Sequence, residues 1–240
     1  MSKLKVPSLQ HLARNWRDTP IKVSNELIKL VENPPTFNYN PLHSAIRDML
    51  ILKVQHKQIE EGVIRAVKRE VVRNNYLEIL SLCRDYFEGV LPHFIQSVER
   101  RFYPVGRGLL VPFEPPLIYG VNGQLHFPWF SFWRKNPLAD RHLQLFASIV
   151  YEVLLQDPDL EEARFVILDF SAAKQNHPRE LNVIDARDIP RLSKSEIDDM
   201  LAVFAEGFTL AEQKIKQDEK QKNKQSQEIN KKENQISFNF

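Results

Sequence analysis

Cysteine is almost absent from these 240 residues. Cys83 stands alone, which excludes an intramolecular disulfide and any cysteine-rich zinc site. Glycine is scarce at 7, too few for a collagen-like repeat, a Gly-rich linker or a glycine-rich nucleotide loop. No apolar run approaches the ~20 residues that a bilayer span needs. The opening MSKLKVPSLQ lacks the apolar stretch of a signal peptide, so a cytoplasmic protein with no membrane partner is expected. Neither sign of charge dominates: 33 Lys and Arg against 31 Asp and Glu leave +2, too even to name a polyanionic partner from bulk charge. The histidines show no His-x-x-x-His spacing, and no G-x-S-x-G elbow, phosphate loop or dinucleotide fingerprint occurs. These patterns imply no cofactor and no metal. What remains is 42% hydrophobic and 10% aromatic, enough for a sizeable core.

The apolar periodicity predicts an α+β protein: an N-terminal helical bundle packed on a small mixed or antiparallel sheet with flanking helices, then a charged tail. Residues 1–40 read as a helical hairpin. Ser8 can cap a helix carrying Leu9, Leu12, Ala13 and Trp16. Thr19 then caps a second, with Pro20 at its first position and Val23, Leu27, Leu30 and Val31 on one face. Residues 41–103 read as a bundle. One stripe runs from Leu42 to Val54, and a second joins Ile59, Val63, Val67 and Val71. A break at Asn74-Asn75 precedes a third helix ending at Gly89, and a fourth starts near Pro92 with Phe94, Ile95 and Val98 inward.

Residues 104–212 form an α+β region. The proline-interrupted stretch 108–120 suits edge strands. Val121-Asn122-Gly123 signals a hairpin into the aromatic segment 124–133. A helix over 140–156, strands over 164–170 and 180–185, and a last helix carrying Ile197, Met200, Leu201, Phe204 and Phe208 follow. Residues 213–240 are a charged tail. From Lys214 to Lys232 only Ile215 and Ile229 are apolar, so a solvated, fraying helix or a disordered segment is expected.

Three groups of residues could carry function. The first hairpin invites a helix-turn-helix reading, with Arg14, Arg17, Lys22 and Lys29 placed for phosphates and a local excess of positive charge over Asp18, Glu26 and Glu32. The segment from His126 to Lys135 alternates Phe127, Trp129, Ser131 and Trp133 with Phe130 and Phe132, so aromatic rings face both ways. Trp129, Phe130 and Trp133 would be either a stacking platform for bases, with Arg134 and Lys135 on phosphates, or the core of a central strand covered on both faces. The third group is Glu114, Asp169, Asp185 and Lys174. Carboxylates at strand ends with a nearby lysine are what a metal-dependent nuclease uses to hold Mg²⁺ and polarise water.

The order helix, strands, helix, strand from Ala45 to Phe170 resembles, in topology only, the restriction-endonuclease-like nuclease core. That family places an acidic residue on one strand and an acidic-x-Lys triplet on the next. Here Pro128-Trp129-Phe130 and Phe132-Trp133-Arg134 stand in that region. The expected function is that of a non-catalytic bacterial interaction protein associated with nucleic acid or with a protein complex acting on it. A degenerate or divergent Mg²⁺-dependent nuclease and a purely protein-binding structural subunit are the alternatives. Under a structural role, Asp169 would accept hydrogen bonds from backbone donors in the loop from Lys174 to His177.

Overall fold

The aromatic segment lies at the middle of the protein, and the rest of the chain is arranged around it. In the computed structural model, which describes residues 4–35, 38–174 and 177–236 (side chains as far as 221), seven helices and seven strands are formed. The helices are α1 (Leu9–Asn15), α2 (Pro20–Glu32), α3 (Asn40–Leu50), α4 (His56–Ala66), α5 (Glu70–Phe87), α6 (Asp140–Leu154) and α7 (Lys194–Ile236). The strands are β1 (Phe94–Gln96), β2 (Arg101–Gly106), β3 (Leu109–Phe113), β4 (Ile118–Val121), β5 (Gln124–Ser131), β6 (Arg164–Asp169) and β7 (Asn182–Asp185).

A five-stranded mixed sheet runs in the order β1-β4-β5-β6-β7, with β2 and β3 forming a separate two-stranded ribbon. Only β5 and β6 are parallel, joined through α6; their neighbours are antiparallel. The Asn122-Gly123 turn takes positive φ at both positions, which matches the right-handed twist of the flanking strands. Arg107-Gly108 closes the ribbon in the same way. Pro128 sits inside the central strand without breaking it. Pairing with β4 stops at Tyr119–His126, so Pro128 has no ladder partner to lose on that side.

Alternation along β5 builds two cores. Phe127 and Trp129 join a larger cluster with α1, α2, α6, α7 and the inner face of the ribbon, where Phe165 meets Phe127 and Phe146 meets Trp129 edge to face and Phe113 lies tilted against both. Phe130 and Phe132 join a second cluster with α3, α4 and α5, stacked near Phe170. A strand sandwiched between helical layers needs bulk on both sides, and this one has it. The N-terminal hairpin and the α3–α5 group therefore lie on opposite faces of one sheet.

Three local expectations are corrected. The chain forms β1 where a fourth helix was expected at Pro92, because Phe94 to Gln96 pairs with the open edge of β4, in register from Phe94–Gly120 to Gln96–Ile118. Helix α5 runs straight through Asn74-Asn75, and the interruption falls at Val67–Arg69 instead. The Asn75 carboxamide is used as a side-chain acceptor rather than as a cap. Val71 consequently belongs to α5 and is 75% exposed rather than part of the α4 stripe.

Thr19 caps α2 by accepting from the Lys22 amide, whereas Ser8 precedes α1 without a side-chain capping bond. Helix α7 packs on α2 and keeps contributing to the core as far as Ile215. Beyond Ile215 the backbone stays helical to Ile236.

Candidate functional site

The four residues of the nuclease alternative are placed apart. Glu114 follows the ribbon, exposed and ion-paired with Arg100 at 2.6 Å. Asp169 and Asp185 lie on adjacent strands, but the register sets Asp169 opposite Asn182 and Asp185 opposite Val166. Cross-strand partners share a face, so Asp185 lies on the Val166 face and Asp169 on the other. Lys174 is exposed in the following loop. Among the described residues no group of three or more His, Cys, Asp or Glu could hold a metal ion.

Each carboxylate has a local account. Asp185 bonds Arg164 at 2.7 Å and Arg187 at 2.8 Å and accepts from the Arg187 amide, and these donors hold it well below the usual carboxylate range despite some burial. Asp169 is buried, and burial raises its pKa. Residues 175 and 176 of the loop expected to supply its donors lie outside the described residues. Among the described residues its side-chain donors are the Asn136 carboxamide at 2.9 Å and the Ser171 hydroxyl at 3.0 Å.

The basic residues of the first hairpin are engaged within the chain. Lys22 pairs with Asp18 at 2.9 Å, and Lys29 and Arg17 share Glu26 at 3.0 and 3.5 Å. The Arg14 guanidinium lies 5.6 Å from the Trp133 ring centroid, and His11 meets the same ring edge to face. Burial lowers the His11 pKa to about 4, so that ring is neutral at pH 7. Arg14, Arg17 and Lys29 do line one cleft of about 380 Å³, together with Glu26 and His142, while Lys22 stands outside it. Trp129 and Phe130 are core residues, and Trp133 is half-buried under Arg14. Lys135 is exposed, whereas Arg134 belongs to a different cleft.

That second cleft, about 670 Å³, opens between the start of α5 and the loops after β5 and β6. Its floor is Arg179, with a side chain only 1% exposed. The Arg179 guanidinium donates to Asn75 Oδ1 from Nε at 2.9 Å and from Nη2 at 2.6 Å, and from Nη1 to the Phe170 carbonyl. Its amide donates to Glu78 Oε1 at 2.6 Å. Sequence reasoning missed this arginine because it sits in an irregular polar loop with no periodicity. A salt-bridge partner 101 residues away leaves no local pattern.

Two further features bear on partners. The outer face of the ribbon leaves Phe102 and Leu110 about half exposed, next to exposed Pro104. In the sequence, residues 216–235 hold Ile229 as their only apolar side chain, after which Ile236, Phe238 and Phe240 alternate with polar residues. No helix among the described residues is long and apolar enough to cross a membrane.

No curated protein matches the chain. A known family does, over the whole run from α1 into α7: residues 11–209 fit the family described as the sliding clamp-binding bacterial toxin SocB, and the chain belongs to it.

Proposed function

We propose that this chain is a non-catalytic protein that binds a bacterial sliding clamp, with its link to nucleic acid running through that clamp. The family match over residues 11–209 carries the reading. The separated carboxylates support a binding role over catalysis, since a metal-dependent nuclease needs them together. On this reading the protein acts in the cytoplasm, and its toxicity follows from occupying the clamp.

We place the contact in the segment from Gln235 to Phe240. Its three apolar side chains follow twenty polar-rich residues that offer nothing to pack on. The helical stretch between Ile215, the last buried residue described, and Ile236 is about 32 Å long at ~1.5 Å per residue. An apolar segment that follows such a polar stretch suits insertion into an apolar cleft on a partner. The family match ends at 209, so the exposed Phe102–Leu110 face of the ribbon is the rival location inside the matched body.

The test is binding of the purified full chain to an immobilised bacterial sliding clamp, beside a chain ending at Lys216 and a Phe102→Asp/Leu110→Asp double variant. Loss of binding in the truncated chain alone is the expected result. Loss in the ribbon variant alone moves the contact to the body. Absence of binding by the full chain sinks the clamp reading. Expression of each form in a bacterium should slow growth in proportion to the affinity measured.

A further inference from the structure

The cleft between α1, α2 and the start of α6 gathers charge of one sign in an almost neutral chain. It is about 380 Å³, and Arg14, Arg17 and Lys29 line it against the single carboxylate of Glu26. Three cations and one anion leave an excess of two positive charges, as large as the formal excess of the whole chain. Both Glu26 oxygens are in use, Oε1 by Lys29 at 3.0 Å and Oε2 by Arg17 at 3.5 Å. The hydrogen bond from Lys29, with the charges of Arg17 and Arg14 behind it, holds the Glu26 carboxyl below its usual range. Arg14 is the cation left over. Among the described residues its guanidinium has no hydrogen-bond acceptor, and its contact is the Trp133 ring, 5.6 Å from the centroid. A guanidinium over an indole uses its flat face and leaves its N–H edge for an acceptor.

Arg17 is fixed by the backbone: its Nη1 donates to the Arg14 carbonyl at 3.0 Å and to the Trp16 carbonyl at 2.6 Å. Two guanidiniums are thus held in place by groups without negative charge, and a donor already in position loses less freedom when an anion arrives. A concave site lined by one sign also focuses the field on its occupant. The charge and the walls select among anions. A phosphate monoester carries about −1.5 to −2 at pH 7 on three acceptor oxygens, which answers an excess of two. Leu30 and Pro137 add an apolar patch, and Asn33 and the buried Asn15 add carboxamides, the mixture found in small-molecule sites. A nucleic-acid backbone brings one charge per phosphate and needs a run of cations. The next cation along α2, Lys22, stands outside the cleft and is bound to Asp18 at 2.9 Å.

We propose that this cleft binds a small phosphate monoester. The phosphate accepts from Arg14 and Arg17 with Lys29 alongside, and the organic body lies against Leu30 and Pro137. The site is separate from clamp binding, because none of its residues belongs to the tail or the ribbon.

The experiment is calorimetric titration of the full chain with phenyl phosphate, dimethyl phosphate and a short single-stranded oligonucleotide. One saturable site is expected for phenyl phosphate, about tenfold or more tighter than for the singly charged diester. Arg14→Met keeps a side chain over Trp133 without the charge, and Lys29→Ala changes an exposed position, so both should fold, as unchanged melting temperatures would verify. Each should weaken phenyl phosphate binding about tenfold. Lys22→Ala, outside the cleft, should leave it unchanged, and Glu26→Gln should tighten it by removing the competing carboxylate. No saturable site for phenyl phosphate, equal affinity for the monoester and the diester, or undiminished binding by Arg14→Met and Lys29→Ala would overturn the proposal. Tighter binding of the oligonucleotide, lost in those same two variants, would overturn it in favour of a nucleic-acid site.

Discussion

Two helical glycines should respond to the same substitution with opposite signs. Gly207 lies on α7 where it crosses α2. A Cβ added there would stand 2.5 Å from Val23 Cβ and 2.7 Å from the Pro20 carbonyl oxygen. Neither atom can swing away by changing rotamer, since one is backbone and the other is fixed to it. The two helices would have to part, and α2 makes its main contacts with α7. Overpacking of this kind costs about 1–3 kcal/mol, and a clash against backbone belongs at the upper end. Alanine's better helix propensity returns about 1 kcal/mol. Gly207→Ala should therefore destabilise by about 2 kcal/mol net, which for a chain of this size lowers the melting temperature by about 4–8 °C. Gly62 on α4 has nothing within 4 Å of the added atom, so Gly62→Ala should gain about 0.5–1 kcal/mol. Paired thermal melts, supported by urea denaturation at 25 °C, read both effects. An unchanged or raised melting temperature for Gly207→Ala would refute the close approach of α2 and α7.

Three further outcomes follow from the carboxylates and the tail. Asp169 has a raised pKa in the fold, so its favourable contribution is complete below about pH 3.9 and is lost as pH rises through the folded value. Asp169→Asn keeps an oxygen for Asn136 and Ser171, and should melt no lower than the parent at pH 7, with any advantage shrinking at pH 4; a marked loss at pH 7 contradicts this. Asp185 behaves oppositely: its pKa is depressed by Arg187 and Arg164, so its contribution is present at neutral pH and fades as pH falls below about 3.9. Asp185→Asn should cost about 1–3 kcal/mol in urea denaturation at pH 7, and a cost below 0.5 kcal/mol would mean the two arginines are merely surface pairs. Ending the chain at Lys216 should leave the melting temperature unchanged, while ending it at Glu212 removes buried Ile215 and should cost about 1.5–3 kcal/mol. Equal melting of the two truncated chains would show that Ile215 contributes nothing.

The sequence alone determined the elements whose signals are local. Thr19-Pro20 starts α2, Asn122-Gly123 turns the hairpin, and the residues from Phe127 to Ser131 point alternately to the two faces of β5, because capping, positive φ and the pleat of an extended chain depend only on neighbouring residues. The tail could likewise be read from composition, since twenty residues with one apolar side chain cannot form a core. Tertiary structure decided what local pattern leaves open. Phe94 and Ile95 are apolar side chains that suit a helix or a strand, and the segment became β1 because the β4 edge was available to pair. Asn74-Asn75 stayed inside α5 because Asn75 meets Arg179 from a loop more than a hundred residues away. The placing of α1–α2 and α3–α5 on opposite faces of the sheet, and of Asp169 and Asp185 on opposite faces of adjacent strands, depends on which strands pair and in what register. The charge-rich cleft over Arg179 exists only after those pairings are made, because its parts come from α5 and from two loops brought together by the parallel pairing of β5 and β6.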